Sequence, residues 1–319
     1  MTSRPTDGDR KPQAEKPDLA GFADFNRRDS YSIPAINADG GAGSPRVQHR
    51  VSKRQLVEIS SRLSERDFEI LHSVQRHRYL LSTQAQRLHF TEAATSTAAL
   101  RATNRSLKKL KELGLIDSLA RRIGGVRAGS SGLVVHITHA GERLLRLHDH
   151  RAYPARHSFD PSPYFLAHTL AVAEVSIQLM EICREHTLEL NALQLEPECW
   201  RSYSGYGTML SLKPDLYAKI TSSEFEDCYF FEIDLSTESP SKVVEKCKKY
   251  HEYYRSNIEQ QESGVFPITV WIVPDDARKK SLIRHIREEF KGQPKLFAVI
   301  TSSELETLIR FGGDKDTLC

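Results

Sequence analysis

Hydrophobic positions change period along this chain, from spacings of three and four residues in its first half to alternation over 212–235. Ser64 precedes a stripe of Phe68, Leu71 and Val74, with Asp67 three residues after the serine. That near capping box predicts a helix through His77. A second short helix is expected over 82–88 and a third over 95–113, with Leu100, Leu107 and Leu110 on its apolar side and Gly114 suited to the left-handed turn beyond it. Strands at 115–120 and 133–138 flank a basic, Gly-rich loop, and another helix starts at Ala140. Three helices followed by a two-stranded hairpin predict a winged helix-turn-helix over 56–150, whose third helix would enter the DNA major groove.

The second half reads differently. A long amphipathic helix over 163–186 carries Leu166, Leu170, Ala173, Ile177 and Met180 as its stripe. Two alternating runs follow. In 212–220, Asp215, Tyr217 and Lys219 face one way and Leu216, Ala218 and Ile220 the other. In 228–235, Tyr229, Phe231, Ile233 and Leu235 face the core, while Phe230, Glu232 and Asp234 share the opposite face, about 7 Å apart along the strand. A helix over 241–254, a buried strand over 266–273, a break at Pro274-Asp275-Asp276, a charged helix and a last strand over 295–301 complete the second domain, placed at 160–312. The expected class is α/β, α+β over the whole chain. Residues 1–55, rich in Pro, Gly and Asp, are expected to form a disordered tail.

Charge sharpens this division. The net charge of +3 hides a basic segment: residues 50–150 hold eighteen Lys and Arg against nine Asp and Glu, whereas 151–319 holds twenty against twenty-six. Such a split is expected if the first domain binds a polyanion and the second holds cations. Arg101, Asn104, Arg105, Lys108 and Lys109 on the third helix suit base edges and phosphates, and Arg121, Arg122 and Arg127 in the wing suit flanking phosphate or a minor groove. Double-stranded DNA is therefore the expected partner, with a homodimer matching palindromic sites. The five cysteines form no CxxC pair or zinc spacing, pointing to a reducing cytoplasm and no structural zinc. No apolar run of membrane-spanning length, secretory core, P-loop or dinucleotide fingerprint is expected.

The chemistry concentrates in Pro214-Asp215 and Glu232-Ile233-Asp234. If the two runs pair as a hairpin, Asp215 and Glu232 can converge on one ion, and hard oxygen ligands suit Mg2+ or Mn2+. Carboxylates interrupting an aromatic strand would cost several kcal/mol if buried unpaired, which points to function. Lys246 shares a helix face with Tyr250 and Tyr254.

The order Pro214-Asp215, Glu232-Ile233-Asp234-Leu235-Ser236-Thr237-Glu238, then Lys246 and Tyr250, resembles the replication-relaxation family of plasmid and mobile-element proteins, over roughly residues 60–310. The resemblance implies an N-terminal winged helix and a C-terminal domain similar to the PD-(D/E)XK restriction-endonuclease fold. It also implies a role in plasmid replication, mobilisation or relaxation of supercoiled DNA, alongside other plasmid proteins. In that nuclease pattern a lysine follows the acid by two residues; here Asp234 stands in its place, and Lys242 or Lys246 is expected to substitute. Lys246-x-x-x-Tyr250 resembles the Gln-x-x-x-Tyr helix of recombination-type nucleases. Glu174 falls where the fold offers an additional acid from its first helix, and His168, about 120° around that helix, is expected to pack. Two readings follow: a Mg2+-dependent nicking or cleaving nuclease using Asp215, Glu232 and Asp234, and a non-catalytic DNA-binding accessory or regulator on a degenerate nuclease fold.

Overall fold

Ser52 opens the first helix, α1 (Lys53–Ser60), and Ser64 opens α2 (Glu65–His77), each by a capping box. In the second, the Ser64 hydroxyl accepts from the Asp67 amide while the Asp67 carboxylate accepts from the Ser64 amide. Then come β1 (Tyr79–Leu81), α3 (Ser82–His89), α4 (Ser96–Glu112), β2 (Ile116–Ser118), β3 (Val134–Ile137) and α5 (His139–Asp149). The three strands form an antiparallel sheet in the order β1-β3-β2, closing a core of Leu71, Val74, Leu107, Leu110 and Val135. Leu100 departs from expectation and is 43% exposed. Ala99, Thr103, Leu107 and Leu110 take the buried arc of α4 and leave Leu100 at its edge. The computed structural model describes residues 51–119, 132–153, 161–205, 207–223, 225–313 and 317–319. Arg121, Arg122, Arg127 and most of the expected tail lie outside them.

The second half runs α6 (Pro163–Glu185), β4 (Glu189–Leu195), β5 (Arg201–Gly205), β6 (Thr208–Leu212), β7 (Leu216–Thr221), β8 (Glu226–Ile233), α7 (Pro240–Ser256), α8 (Ile258–Ser263), β9 (Ile268–Val273), α9 (Asp276–Glu289), β10 (Phe297–Thr301) and α10 (Leu305–Phe311). Five strands form one mixed sheet in the order β10-β9-β8-β7-β4. Strands β4, β7 and β8 are antiparallel neighbours, and β9 and β10 lie parallel to β8, reached through helical crossovers. The mixed α/β class expected from sequence is the one found. The single run expected over 212–220 is divided. Leu212 ends the β5–β6 hairpin, and Lys213–Asp215 lead into β7.

Both faces of this sheet are buried. Leu216, Ala218, Ile220, Tyr229, Phe231 and Ile233 pack with α6 and α10, while Tyr217, Phe230 and Trp271 pack with α7 and α9. Helix α6 is buried on two sides. Leu166, Leu170, Ala173 and Ile177 enter the cores of the first half, and Val175, Leu179, Ile182 and Cys183 enter that of the sheet. This two-sided use explains why α6, against expectation, is long and apolar enough by length and composition to cross a membrane.

Candidate active site and nucleic-acid interface

Strand register sets the site. Leu216 pairs with Phe231, and the Asp215 amide donates to the Phe231 carbonyl at 3.2 Å, which places Asp215 across from Glu232. Both carboxylates are buried, Glu232 at 1% exposure. Asp215 Oδ2 accepts from the Ile233 amide at 2.8 Å and lies 3.2 Å from His168 Nε2 on α6. One Glu232 oxygen accepts from the Lys246 ammonium and the other from the Tyr250 hydroxyl. Lys246 and Tyr250 reach it together because they are four residues apart on α7, whose buried stripe of Val243, Cys247 and Tyr250 faces the sheet.

These contacts explain the electrostatics. Burial pushes the Glu232 carboxyl up to about 8, with the Asp215 charge adding to the rise and Lys246 opposing it. For Asp215, burial works in the same direction but is outweighed by the His168 hydrogen bond and the charges of Lys246 and His168, leaving its carboxyl below the ordinary range. Burial disfavours charge on Lys246, yet Glu232 and Asp215 outweigh it and hold the ammonium above its usual value. Burial likewise opposes protonation of His168, and Asp215 reverses the balance upward.

Two expected members of the site have other partners. Asp234 is gripped by Arg278 of α9, through Nε at 2.6 Å and a terminal nitrogen at 3.2 Å, and also accepts from the Ser236 amide. It pins α9 to the end of β8. Glu174, expected as a metal ligand, faces α3, where it binds Arg87 and Gln84, and the same arginine also holds Glu181. His168, expected to pack, is the α6 residue that meets the carboxylate pair. Its partner lies 47 residues away, so no local spacing signalled the contact. Lys242 is exposed and lines an open cleft with Lys213, Lys246 and Lys249. A second cavity is lined by Arg76, Arg78, His168 and Asp215.

On α4, Arg101, Asn104, Arg105 and Lys108 are exposed at spacings of three, one and three residues, forming one stripe. Lys109 does not belong to it. Its ammonium donates to Asp67 Oδ2 at 2.7 Å and to the Arg62 carbonyl at 2.8 Å, tying α4 to the start of α2.

Fold and site together define a mixed α/β protein whose five-stranded mixed sheet carries a buried carboxylate pair. The replication-relaxation family matches residues 71–269, more than half of the chain, and the chain belongs to that family. Membership fits a DNA-related role. Two solved structures are similar at low identity: protein VC1899 from Vibrio cholerae (11% identity, TM-score 0.30, covering 80% of this chain and 54% of that one) and the restriction endonuclease FokI bound to DNA (14%, 0.23, 77% and 44%). The chain spans about half the length of each or less. No curated protein matches it.

Proposed function

We propose that this protein binds double-stranded DNA through the exposed stripe of α4 and nicks or cleaves it at Asp215 and Glu232 with Mg2+ or Mn2+, in replication or relaxation of a plasmid or mobile element. The carrying observation is the pair itself: two buried carboxylates set opposite each other by strand register, beside an α7 lysine and a cleft lined by further lysines. The donor set fits a hard divalent cation, since Asp215 and Glu232 both offer carboxylate oxygens. Such an ion, when bound, supplies acidification of a water and neutralisation of phosphate charge.

The chain's own residues do the rest. Lys213, Lys242 and Lys249 draw the phosphate backbone into the cleft. Lys246 holds Glu232 oriented and carries positive charge where the family's nuclease pattern has a lysine two residues after the acid. His168 and the Ile233 amide fix Asp215, and Tyr250 holds the other Glu232 oxygen from below.

A second reading has its own support. Lys246 and Tyr250 already satisfy both Glu232 oxygens and Arg278 neutralises Asp234, so the site is balanced without a cation. A DNA-binding accessory on a silent nuclease fold would have this arrangement. The two are separated by incubating the full chain with supercoiled plasmid in Mg2+ or Mn2+, beside EDTA and the variants Asp215→Asn, Glu232→Gln and Lys246→Met. The nuclease reading expects nicked or linear product that EDTA abolishes and that each variant lowers by at least about a hundredfold, the scale of losing a positioned charged group. A salt-sensitive mobility shift with no cleavage by wild type in either metal would reject it in favour of the accessory.

A further inference from the structure

Away from the carboxylate pair, His72 on α2 meets His148 and Asp149 at the C-terminal end of α5. His72 Nε2 lies 2.9 Å from Asp149 Oδ2, His148 Nδ1 lies 2.8 Å from Oδ1, and one ligand atom of each residue falls within 4.8 Å of the other two. Ligands bound about 2.0–2.2 Å from one zinc ion stand about 3–3.5 Å apart, so small adjustments of these side chains would accommodate it. We propose that His72, His148 and Asp149 form a zinc site that staples α5 to α2, with a fourth coordination position open to solvent.

The surroundings are those of supported ligands. The His148 ring stacks on Phe68 with centroids 3.9 Å apart and planes inclined by 22°, which holds its orientation. The Tyr153 hydroxyl donates to the Asp149 carboxylate, in the manner of the outer partners that orient metal ligands. His150, in the left-handed conformation at φ 50°, ends the helix and turns the chain so that Tyr153 returns to that carboxylate. Burial opposes ionisation of Asp149, but hydrogen bonds from Tyr153, His148 and His72 outweigh it and lower the carboxyl to about 2, so the group is anionic at neutral pH.

The donor types select the ion. Two imidazoles with one carboxylate match zinc and its transition-metal neighbours, whereas Mg2+ and Ca2+ favour all-oxygen shells. Side-chain exposures of 38% for His72 and 44% for His148 leave a path for entry and room for a water. The cysteine pattern speaks only against a thiolate site; this one is built on histidine and bridges residues 77 positions apart. Without metal, the same three groups make a hydrogen-bonded triad, so the two states differ in whether an ion replaces the shared protons.

The test titrates the full chain with Zn2+ in competition with a chromogenic chelator, in the background Asp215→Asn/Glu232→Gln so that the other carboxylates contribute nothing. One equivalent of zinc is expected in that background, weakened at least about tenfold by either His72→Gln or His148→Gln. Unchanged affinity in both histidine variants, or no binding before they are introduced, overturns the site. Should a histidine variant fail to fold, Co2+ added to the same Asp215→Asn/Glu232→Gln background gives an independent readout. Visible absorption bands bleached by one equivalent of Zn2+ support the site, and their absence rejects it.

Discussion

His89 shows at the residue scale how a single buried group ties stability to pH. It ends α3 with its ring against α2, Nε2 lying 2.9 Å from the Ser73 hydroxyl, and its side chain is 9% exposed. Burial, reinforced by the Arg66 charge, lowers the imidazole to about 4. Glu69 stands 3.9 Å away but is 56% exposed, and a solvated partner of that kind offsets little. The folded value lies below the unfolded one, near 6.5, so protonation favours the unfolded chain. The stabilising contribution is therefore complete above pH 6.5 and is lost as pH falls towards 4, by an amount on the order of 3 kcal/mol. Urea denaturation of wild type and His89→Gln between pH 7.5 and 4 checks this. The wild type should lose stability more steeply, and parallel curves would show that His89 titrates normally.

At the scale of the element, α4 sets its proposed DNA-contact residues apart from the one that braces the fold. Lys108 is exposed and pairs with Glu112 at 3.7 Å, whereas Lys109 bridges to a carboxylate that is 4% exposed. Lys108→Ala should weaken DNA binding and reduce the slope of log affinity against log salt by about one, with stability unchanged. Lys109→Ala should instead cost about 1–2 kcal/mol in urea denaturation, the loss of a half-exposed cation from a buried acid, and leave the salt slope alone. Fluorescence anisotropy across a salt series beside denaturation measures both, and exchanged effects would mean that Lys109 faces the DNA. The same contrast shows what the sequence could reveal. Apolar stripes at helical spacing located α2, α4 and α6, and alternation located β8 and put Asp215 and Glu232 within reach of each other. The β5–β6 hairpin escaped notice because its Ser, Thr and Gly positions bury few side chains. Partners were harder still: Arg278 claims Asp234 from 44 residues away and Arg87 claims Glu174 from 87. A carboxylate on the right face carries no mark of the arginine that will neutralise it.

For the whole molecule, α6 decides whether the two halves are separable. One of its sides completes the cores around the three-stranded sheet and the other roofs the five-stranded sheet, and its ends are tied down by Arg87 to Glu174 and Glu181 and by His168 to Asp215. His77 of α2 adds a buried hydrogen bond to Ser176 at 2.9 Å. Neither half can bury its apolar surface without this helix, so the described residues should unfold in one cooperative step. Ile177 tests the point because it is fully buried and belongs to the first core, whereas both tryptophans, Trp200 and Trp271, lie with the five-stranded sheet. Ile177→Ala should cost about 2–5 kcal/mol by removing transferred surface and leaving a cavity. If α6 couples the halves, tryptophan fluorescence and far-UV circular dichroism should report the same lowered midpoint. A tryptophan transition held at its wild-type midpoint while the helical signal melts earlier would show two independently folding units. In that case a DNA-binding event in the first half could reach the carboxylate pair only through the bound DNA. Coincident transitions instead leave α6 as a direct mechanical link, since the helix that carries Ile177 into one core also presents His168 to Asp215.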